Sequence, residues 1–458
     1  MRLIVIGGDA AGMTAAAHVL RAGGIEVAVA ERGPYTSYSM CGIPYFVGGM
    51  FDAPDDLVVR TPEEFREQGM TVWMRTEAIA VDPEARTVRL RERSTGAERD
   101  EPYDALLLAT GAQPSIPGVA GMETYARPLR TLEHGEIVRR ELDGGPPVEA
   151  AVVIGAGYIG LEMAEALVAR GVSTTLVDAA PDVMKTLDHD MAAVVEEALG
   201  DFGVAVRLSE TIVAVEGADR RPSAVVTETA RYPADLVVLA AGTRPNTDLA
   251  VAAGCDIGPS GGVVVDSRMR TTVEGVWAAG DVVESTDLVA GLRRNVQLGT
   301  HANKQGKVAG VDIVAAARGG RGEAEFPGLV GTAVTRVCKL EIGRCGLTEA
   351  EAQDAGIAYA ATRFTGTAKS GYMPEPGEVH VKMLAERGSG RVLGCQLVGT
   401  GNVAKRIDVA AVWCQLGVSV SEAQLFDLSY APPFGGVWDL LQIAARKLTK
   451  ELDLSPQL

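Results

Sequence analysis

Cysteine is scarce in this chain of 458 residues: there are six, at positions 41, 255, 338, 345, 395 and 414. No two form a Cys-x-x-Cys pair and they build no dense framework. That excludes a disulfide-stapled secreted fold and points to a reducing, cytoplasmic setting, and it offers no metal site. Basic charge is also short. Lys and Arg number 43 against 60 Asp and Glu, a formal net charge of −17. That balance argues against nucleic acid or an anionic membrane as a partner. Long apolar runs are missing too, since no uncharged run reaches the roughly 18 apolar residues a membrane-spanning helix needs. The opening Met1-Arg2-Leu3-Ile4-Val5-Ile6 is cut off by Gly7 and Gly8 and is not expected to act as a leader.

Glycine is plentiful, 54 residues, in a chain that is 47% hydrophobic. This suits an α/β nucleotide-binding protein, and the length calls for two or three domains. Residues 2–6 read as a strand, Gly7-Gly8-Asp9-Ala10-Ala11-Gly12 as a tight turn, and the Ala-rich stretch to about Arg21 as a helix. A second strand, 25–30, ends at Glu31-Arg32. Strand, glycine turn, helix, strand and acid make the dinucleotide-binding pattern. The turn brings a helix N-terminus onto a pyrophosphate, and the acid accepts hydrogen bonds from ribose hydroxyls. Asp9 replaces the middle glycine of this copy.

The pattern returns complete in the strand 151–154, the turn Gly155-Ala156-Gly157-Tyr158-Ile159-Gly160, a helix expected from Leu161-Glu162, and Asp178 at the next strand end. Each copy is followed by short strands, at 72–103 and about 204–230. Each then reaches a buried strand and a small-residue turn, Ala109-Thr110-Gly111 in the first and Ala241-Gly242 in the second. Two dinucleotide units therefore share one chain, one expected to hold a fixed flavin and the other a mobile nicotinamide. The expected division is 1–112 and 246–322 for the first unit and 113–245 for the second. A C-terminal α+β domain, 323–458, follows the Gly- and Arg-rich linker Arg318–Gly322, with strands at 379–384 and 392–398 and a helix near 402–416.

Cys41 is the only cysteine in the first 254 residues. It lies in Tyr35–Gly49, which reads as a loop turning into a short helix near Gly42 and stopped by Gly48-Gly49. A cysteine at a helix start meets unpaired N–H groups and the positive end of the dipole, so a reactive thiolate is expected. The other five cysteines read as small core residues.

Ser37-x-x-x-Cys41-Gly42-Ile43-Pro44-Tyr45 resembles the active-site segment of the single-cysteine flavin disulfide reductases. These include coenzyme A-disulfide reductases, NADH polysulfide or persulfide reductases, and related NADH oxidases and peroxidases. The resemblance implies two Rossmann-like domains, for FAD and for NADH with NADPH possible, plus a C-terminal dimerisation domain. It implies that Gly7, Gly8, Ala10, Ala11, Gly12, Glu31, Arg32, Ser37 and Cys41 meet the FAD, with Ala109, Thr110 and Gly111. Val276–Asp281 resembles the second flavin fingerprint, so Gly280 and Asp281 join them, Asp281 at the ribityl chain. Leu298, Gly299, Thr300 and Ala302 open a helix aimed at the flavin pyrimidine. His301 in the same turn either touches flavin or is a plain first-turn histidine.

The resemblance assigns Gly155, Gly157, Tyr158, Ile159, Gly160, Glu162, Asp178 and Gly242 to the nicotinamide cofactor. It assigns Cys41, with Tyr430 and Tyr372 of a partner subunit, to catalysis, and Arg21, Ser37 and Tyr45 to substrate. The partners it implies are a small disulfide or polysulfide and a second copy of the chain. Neither the Cys-x4-Cys nor the His-Pro-Thr segment of two-cysteine reductases is present. Ala10 stands where related peroxidases carry a histidine, which disfavours peroxide chemistry. A single basic residue, Arg21, closes the first helix where coenzyme A enzymes often have two, and Met40 is bulkier than their usual residue.

Overall fold

A computed structural model of the protein describes residues 1–454. The last four residues of the expected C-terminal segment lie outside these. Arg2–Ile6 is the middle strand of a five-stranded parallel sheet, ordered Val276–Ala278, Ala105–Leu108, Arg2–Ile6, Glu26–Ala30 and Thr71–Trp73. Leu3, Ile4 and Val5 are fully buried, as are Leu106, Leu107 and Leu108 beside them. Runs apolar at every position are what a sheet covered on both faces requires. The helix Ala10–Ala22 covers one face, with the long helix Gly299–Ala317 packed along it. Thr14 on the first of these helices bonds Asn303 on the other, 289 residues further on, so the chain returns late to its first domain.

The second sheet repeats the plan, with Ala205–Arg207, Ser173–Val177, Ala150–Ile154, Leu236–Leu239 and Ala126–Pro128 all parallel. Ala112–Pro114 and Thr243–Pro245 pair antiparallel where the chain leaves the first unit and comes back. The helix expected from Leu161 begins earlier, at Tyr158, because Gly157 is already extended and serves as its N-cap.

Residues beyond 332 form a five-stranded antiparallel sheet that includes Glu378–Glu386 and Val392–Gly399, with the helices Val403–Leu416 and Leu440–Glu451 against it. Among the described residues, no helix is long and apolar enough to cross a membrane.

Packing between the first two units places the site. Cys41 sits in a 3-10 turn, Met40–Gly42, that runs into the helix Ile43–Val47. Ile43, Phe46 and Val47 bury themselves with Leu132, Val138, Leu161 and Leu167 of the second unit, away from the core around Arg2–Ile6.

Candidate functional site

The two glycine turns are built alike. Gly7 has φ +112°, and a Cβ there would lie 2.1 Å from the Ala109 carbonyl oxygen. A Cβ on Gly12 would lie 1.9 Å from the Gly7 oxygen. Gly155 and Gly160 repeat both contacts, at 2.4 Å from the Ala240 oxygen and 1.8 Å from the Gly155 oxygen. Only glycine lets strand, turn and helix approach this closely. In both turns no side chain caps the helix N-terminus, which fits a dinucleotide pyrophosphate.

The acids expected at the riboses also brace their own turns. Glu31 accepts from the Gly8 and Gly33 N–H groups at 2.7 and 2.6 Å. Asp178 accepts from Ala156 and Ala180 at 2.7 and 2.8 Å. Thr110 and Asn246 exchange two hydrogen bonds, at 2.7 and 2.8 Å, which pins the Ala109–Gly111 turn. Arg32 is exposed beside Glu31, and Gly111, Gly242 and Gly280 all have positive φ.

Cys41 is exposed on the wall of the cleft between the two units. The structure corrects one expectation here. Partial burial of the sulfur pushes the thiol above its ordinary pKa first and the Glu162 carboxylate second, while Arg130 acts the other way. Its helix is five residues long and has little dipole to offer. Glu162 is itself raised by burial and accepts from the Thr335 hydroxyl at 2.5 Å. The Asp281, Asp9 and Glu162 carboxylates all bear on Cys41, so groups of both dinucleotide units stand near the cysteine.

Two members of the cleft escaped the sequence reading. Arg130 is bonded to Asp281, and an arginine ahead of an ordinary helix carries no signal. Asp9 has a carboxyl raised to about 7, by burial first and Glu31 second. Its position in the turn was legible, but its surroundings were not. His301 turns into the core, edge-on to Phe326 with ring centroids 6.2 Å apart, and burial lowers its pKa. Leu298 caps the helix that Gly299 and Thr300 open, with Ala302 buried behind them.

Ser37 has φ +45° and its N–H donates to the Gly8 oxygen at 3.0 Å. Tyr45 is exposed near Glu162 and Glu165, and its phenol is pushed up by its surroundings first. Arg21 ends the first helix. The Lys307 ammonium stands 2.7 Å from the His18 imidazole on the neighbouring surface, a second basic group that sequence spacing could not show.

Tyr372 and Tyr430 come together on the C-terminal domain, 75% and 46% exposed. A hydrogen bond to Tyr430 raises the Tyr372 phenol. Ser370 ties their two loops, bonding Pro432 and Gly435. The charged groups that most affect Cys41 all come from the first two units.

A family model described as pyridine nucleotide-disulphide oxidoreductase matches residues 1–306, and its dimerisation domain matches 332–440. An NAD(P)H coenzyme A polysulfide/persulfide reductase of Pyrococcus horikoshii is 37% identical over 450 residues, covering 98% of each chain. The solved structure of an NAD-dependent persulfide reductase from A. fulgidus superposes with a TM-score of 0.93 at 36% identity, covering 99% of this chain and 84% of that one. Reduced CoADR-RHD of Bacillus anthracis gives 0.94 at 29% identity, covering 99% and 80%. The two matches span both dinucleotide units and most of the C-terminal sheet, and the chain belongs to the pyridine nucleotide-disulphide oxidoreductase family.

Proposed function

We propose that this protein is an FAD-dependent, NADH-using reductase that cleaves a sulfur–sulfur bond in a small disulfide or persulfide of the coenzyme A type, acting as a homodimer through Cys41. The observation that carries the reading is the placement of Cys41. It is exposed in the cleft between two dinucleotide turns, and the remaining cysteines are buried or, for Cys338, half-buried, all as free thiols. An oxidised Cys41 is then a mixed disulfide with a substrate's sulfur or a sulfenic acid, and Ala10 at the peroxidases' histidine position favours the mixed disulfide. The relatives named for polysulfide, persulfide and coenzyme A support the substrate class. The Arg21 and Lys307 charges beside His18, whose own pKa burial and these two charges lower, suit the phosphates of such a carrier.

In this reading Gly7–Gly12 with Glu31 hold the FAD, Asp281 and Arg130 line its middle, and Leu298–Ala302 face its ring. Gly155–Gly160 hold the nicotinamide cofactor, with Asp178 at its adenosine ribose. Bound there, FAD would relay an electron pair from NADH to sulfur. The Cys41 thiolate attacks one substrate sulfur, forming a mixed disulfide and releasing the other sulfur as a thiolate. Tyr430 or Tyr372 of the partner subunit protonates the leaving thiolate. Delivery of the pair breaks the mixed disulfide and restores the Cys41 thiolate. For a disulfide the sum is one NADH, one proton and one substrate giving NAD+ and two thiols.

Turnover of coenzyme A disulfide, glutathione disulfide and polysulfide, with oxygen uptake followed in parallel, tests this. The wild type should favour a coenzyme A-bearing substrate or polysulfide. Cys41→Ser should keep FAD and NADH-driven oxygen uptake and lose at least about 100-fold on sulfur. Wild-type turnover by Cys41→Ser on every sulfur substrate, or faster reduction of peroxide by the wild type, overturns the reading.

A further inference from the structure

The helix that follows Cys41 cannot hold its own shape. Five residues are too few for a stable helix on their own; the Gly48, Met50 and Gly49 N–H groups cap the Pro44, Tyr45 and Phe46 oxygens, and the Val47 oxygen is left without a backbone donor. Two arginines of the second unit bind this carbonyl end, Arg170 at the Val47 oxygen the backbone leaves open and Arg139 at oxygens beside it. Arg139 Nη1 donates to the Phe46 oxygen at 2.6 Å and to the Phe51 oxygen at 3.2 Å. Arg170 Nη1 donates to the Val47 oxygen at 3.0 Å. Arg139 also lies over the Phe46 ring, 5.4 Å from its centroid.

The two guanidiniums are joined through one acid. Asp143, one turn beyond Arg139, bonds Arg139 Nε with one oxygen and Arg170 Nη2 with the other. Both arginine side chains are about four-fifths buried, at 20% and 21% exposure. The surrounding packing agrees. Gly49 takes φ +87° and turns the chain away beside the guanidiniums. Gly135 admits the helix, since a Cβ there would lie 2.7 Å from Ile43 Cγ2.

We propose that Arg139 and Arg170, oriented by Asp143, are positioning residues for Cys41. They hold the carbonyl end of its helix onto the second unit and thereby fix where the sulfur stands. The first dinucleotide unit fixes the other end, through the Ser37 N–H on the Gly8 oxygen. The sulfur is therefore suspended between both cofactor domains, and slack at either end displaces it. A displacement near 1 Å costs a reaction of this kind about 100-fold.

The proposal rests on the reading of Cys41 as the sulfur-carrying group. The test uses FAD-loaded dimers of Arg139→Met, Arg170→Met, Arg170→Lys and Asp143→Asn. Three quantities are followed: sulfur turnover, NADH-driven ferricyanide reduction, which needs no Cys41, and the pH profile of Cys41 alkylation. The charged groups bearing most on that profile are Glu162, Arg130, Asp281 and Asp9, none of them altered.

Each Met variant should lose about 10- to 100-fold in sulfur kcat, with ferricyanide reduction and the KM for NADH within about twofold. Its alkylation profile should shift. Arg170→Lys should recover part of the loss. Where a Met variant fails to fold, Arg170→Lys and Asp143→Asn carry the same test with smaller losses. Unchanged alkylation and turnover in the folded variants overturns the proposal, as does equal loss of both reductions. If Cys41→Ser itself keeps sulfur turnover, the functional reading has failed instead. If Cys41 is required and the arginine variants are wild type, only the clamp has failed.

Discussion

The guanidinium of Arg130 is bonded to the carboxylate of Asp281, which lies 151 residues further along the chain. The side chains are 14% and 11% exposed. The pair joins the approach to the helix Leu132–Gly144 with the loop after the strand Val276–Ala278. Breaking it should cost more than removing it whole, because a lone buried charge has nothing to offset its lost hydration. Arg130→Gln should destabilise the FAD-free protein by about 3 kcal/mol, and Arg130→Gln with Asp281→Asn by clearly less. Denaturant unfolding of the singles and the double measures this. Arg130 also lowers the Cys41 thiol, so Arg130→Gln should slow alkylation of Cys41 at pH 7.

How much of this was legible in sequence depends on the range of the interaction. Gly7, Gly12, Gly155 and Gly160 announce themselves because a local backbone approach forbids any side chain. Residues 3–6 and 151–154 beside them are apolar at every position, and the central strands of both sheets follow. Cys41 stood out through its neighbours in the chain. Arg130 did not, since its partner is remote. Arg139 and Arg170 look like solvent-facing residues of ordinary helices, and only packing shows the carbonyls they cap. Local pattern likewise suggested a depressed Cys41 thiol, whereas the dominant effects are burial and a carboxylate on a different domain.

Asp9 carries a pH dependence. Its carboxyl is raised from the ordinary 3.8 to about 7, by burial and then Glu31 and, more weakly, Asp281, with Arg130 and the Ala10 N–H opposing. Between pH 4 and 7 the folded protein keeps a proton that the unfolded chain has lost. Stability from this site therefore falls as pH rises through that window and is lowest above about 7. The rise is worth about 4 kcal/mol at most. Asp9→Asn should raise the melting temperature of the FAD-free protein at pH 8 by several degrees and leave it unchanged at pH 4. An equal effect at both values would show that Asp9 is ionised throughout.

Tyr430 and Tyr372 share a hydrogen bond on an exposed face that also carries Phe434, Val437 and Trp438, 68%, 70% and 45% exposed. If they serve the partner's Cys41, two defective subunits should complement. Cys41→Ser and Tyr430→Phe homodimers should each be slow on sulfur. Subunits unfolded and refolded together in equal amounts should regain about a quarter of wild-type activity, since half the dimers are hybrids with one intact site. Recovery no greater than the mean of the two homodimers would place Tyr430 in its own subunit's site or outside catalysis.

Cofactor choice follows from Asp178. Two backbone N–H groups, of Ala156 and Ala180, hold its carboxylate in the second turn, so it is fixed and cannot swing away from an incoming phosphate. A 2′-phosphate at that ribose would face a like charge, at a cost of several kcal/mol. Lys185 is the only Lys or Arg between Asp178 and Arg207, and it is exposed. It opposes the repulsion without cancelling it, because an exposed ammonium is screened by water and salt. The wild type should therefore prefer NADH in kcat/KM by about 10- to 100-fold. Lys185→Ala should widen that ratio, and Asp178→Ala should narrow it by raising kcat/KM for NADPH. A wild-type preference for NADPH would mean that the carboxylate is neutralised by the turn that holds it, and that the second unit reads some other part of the cofactor.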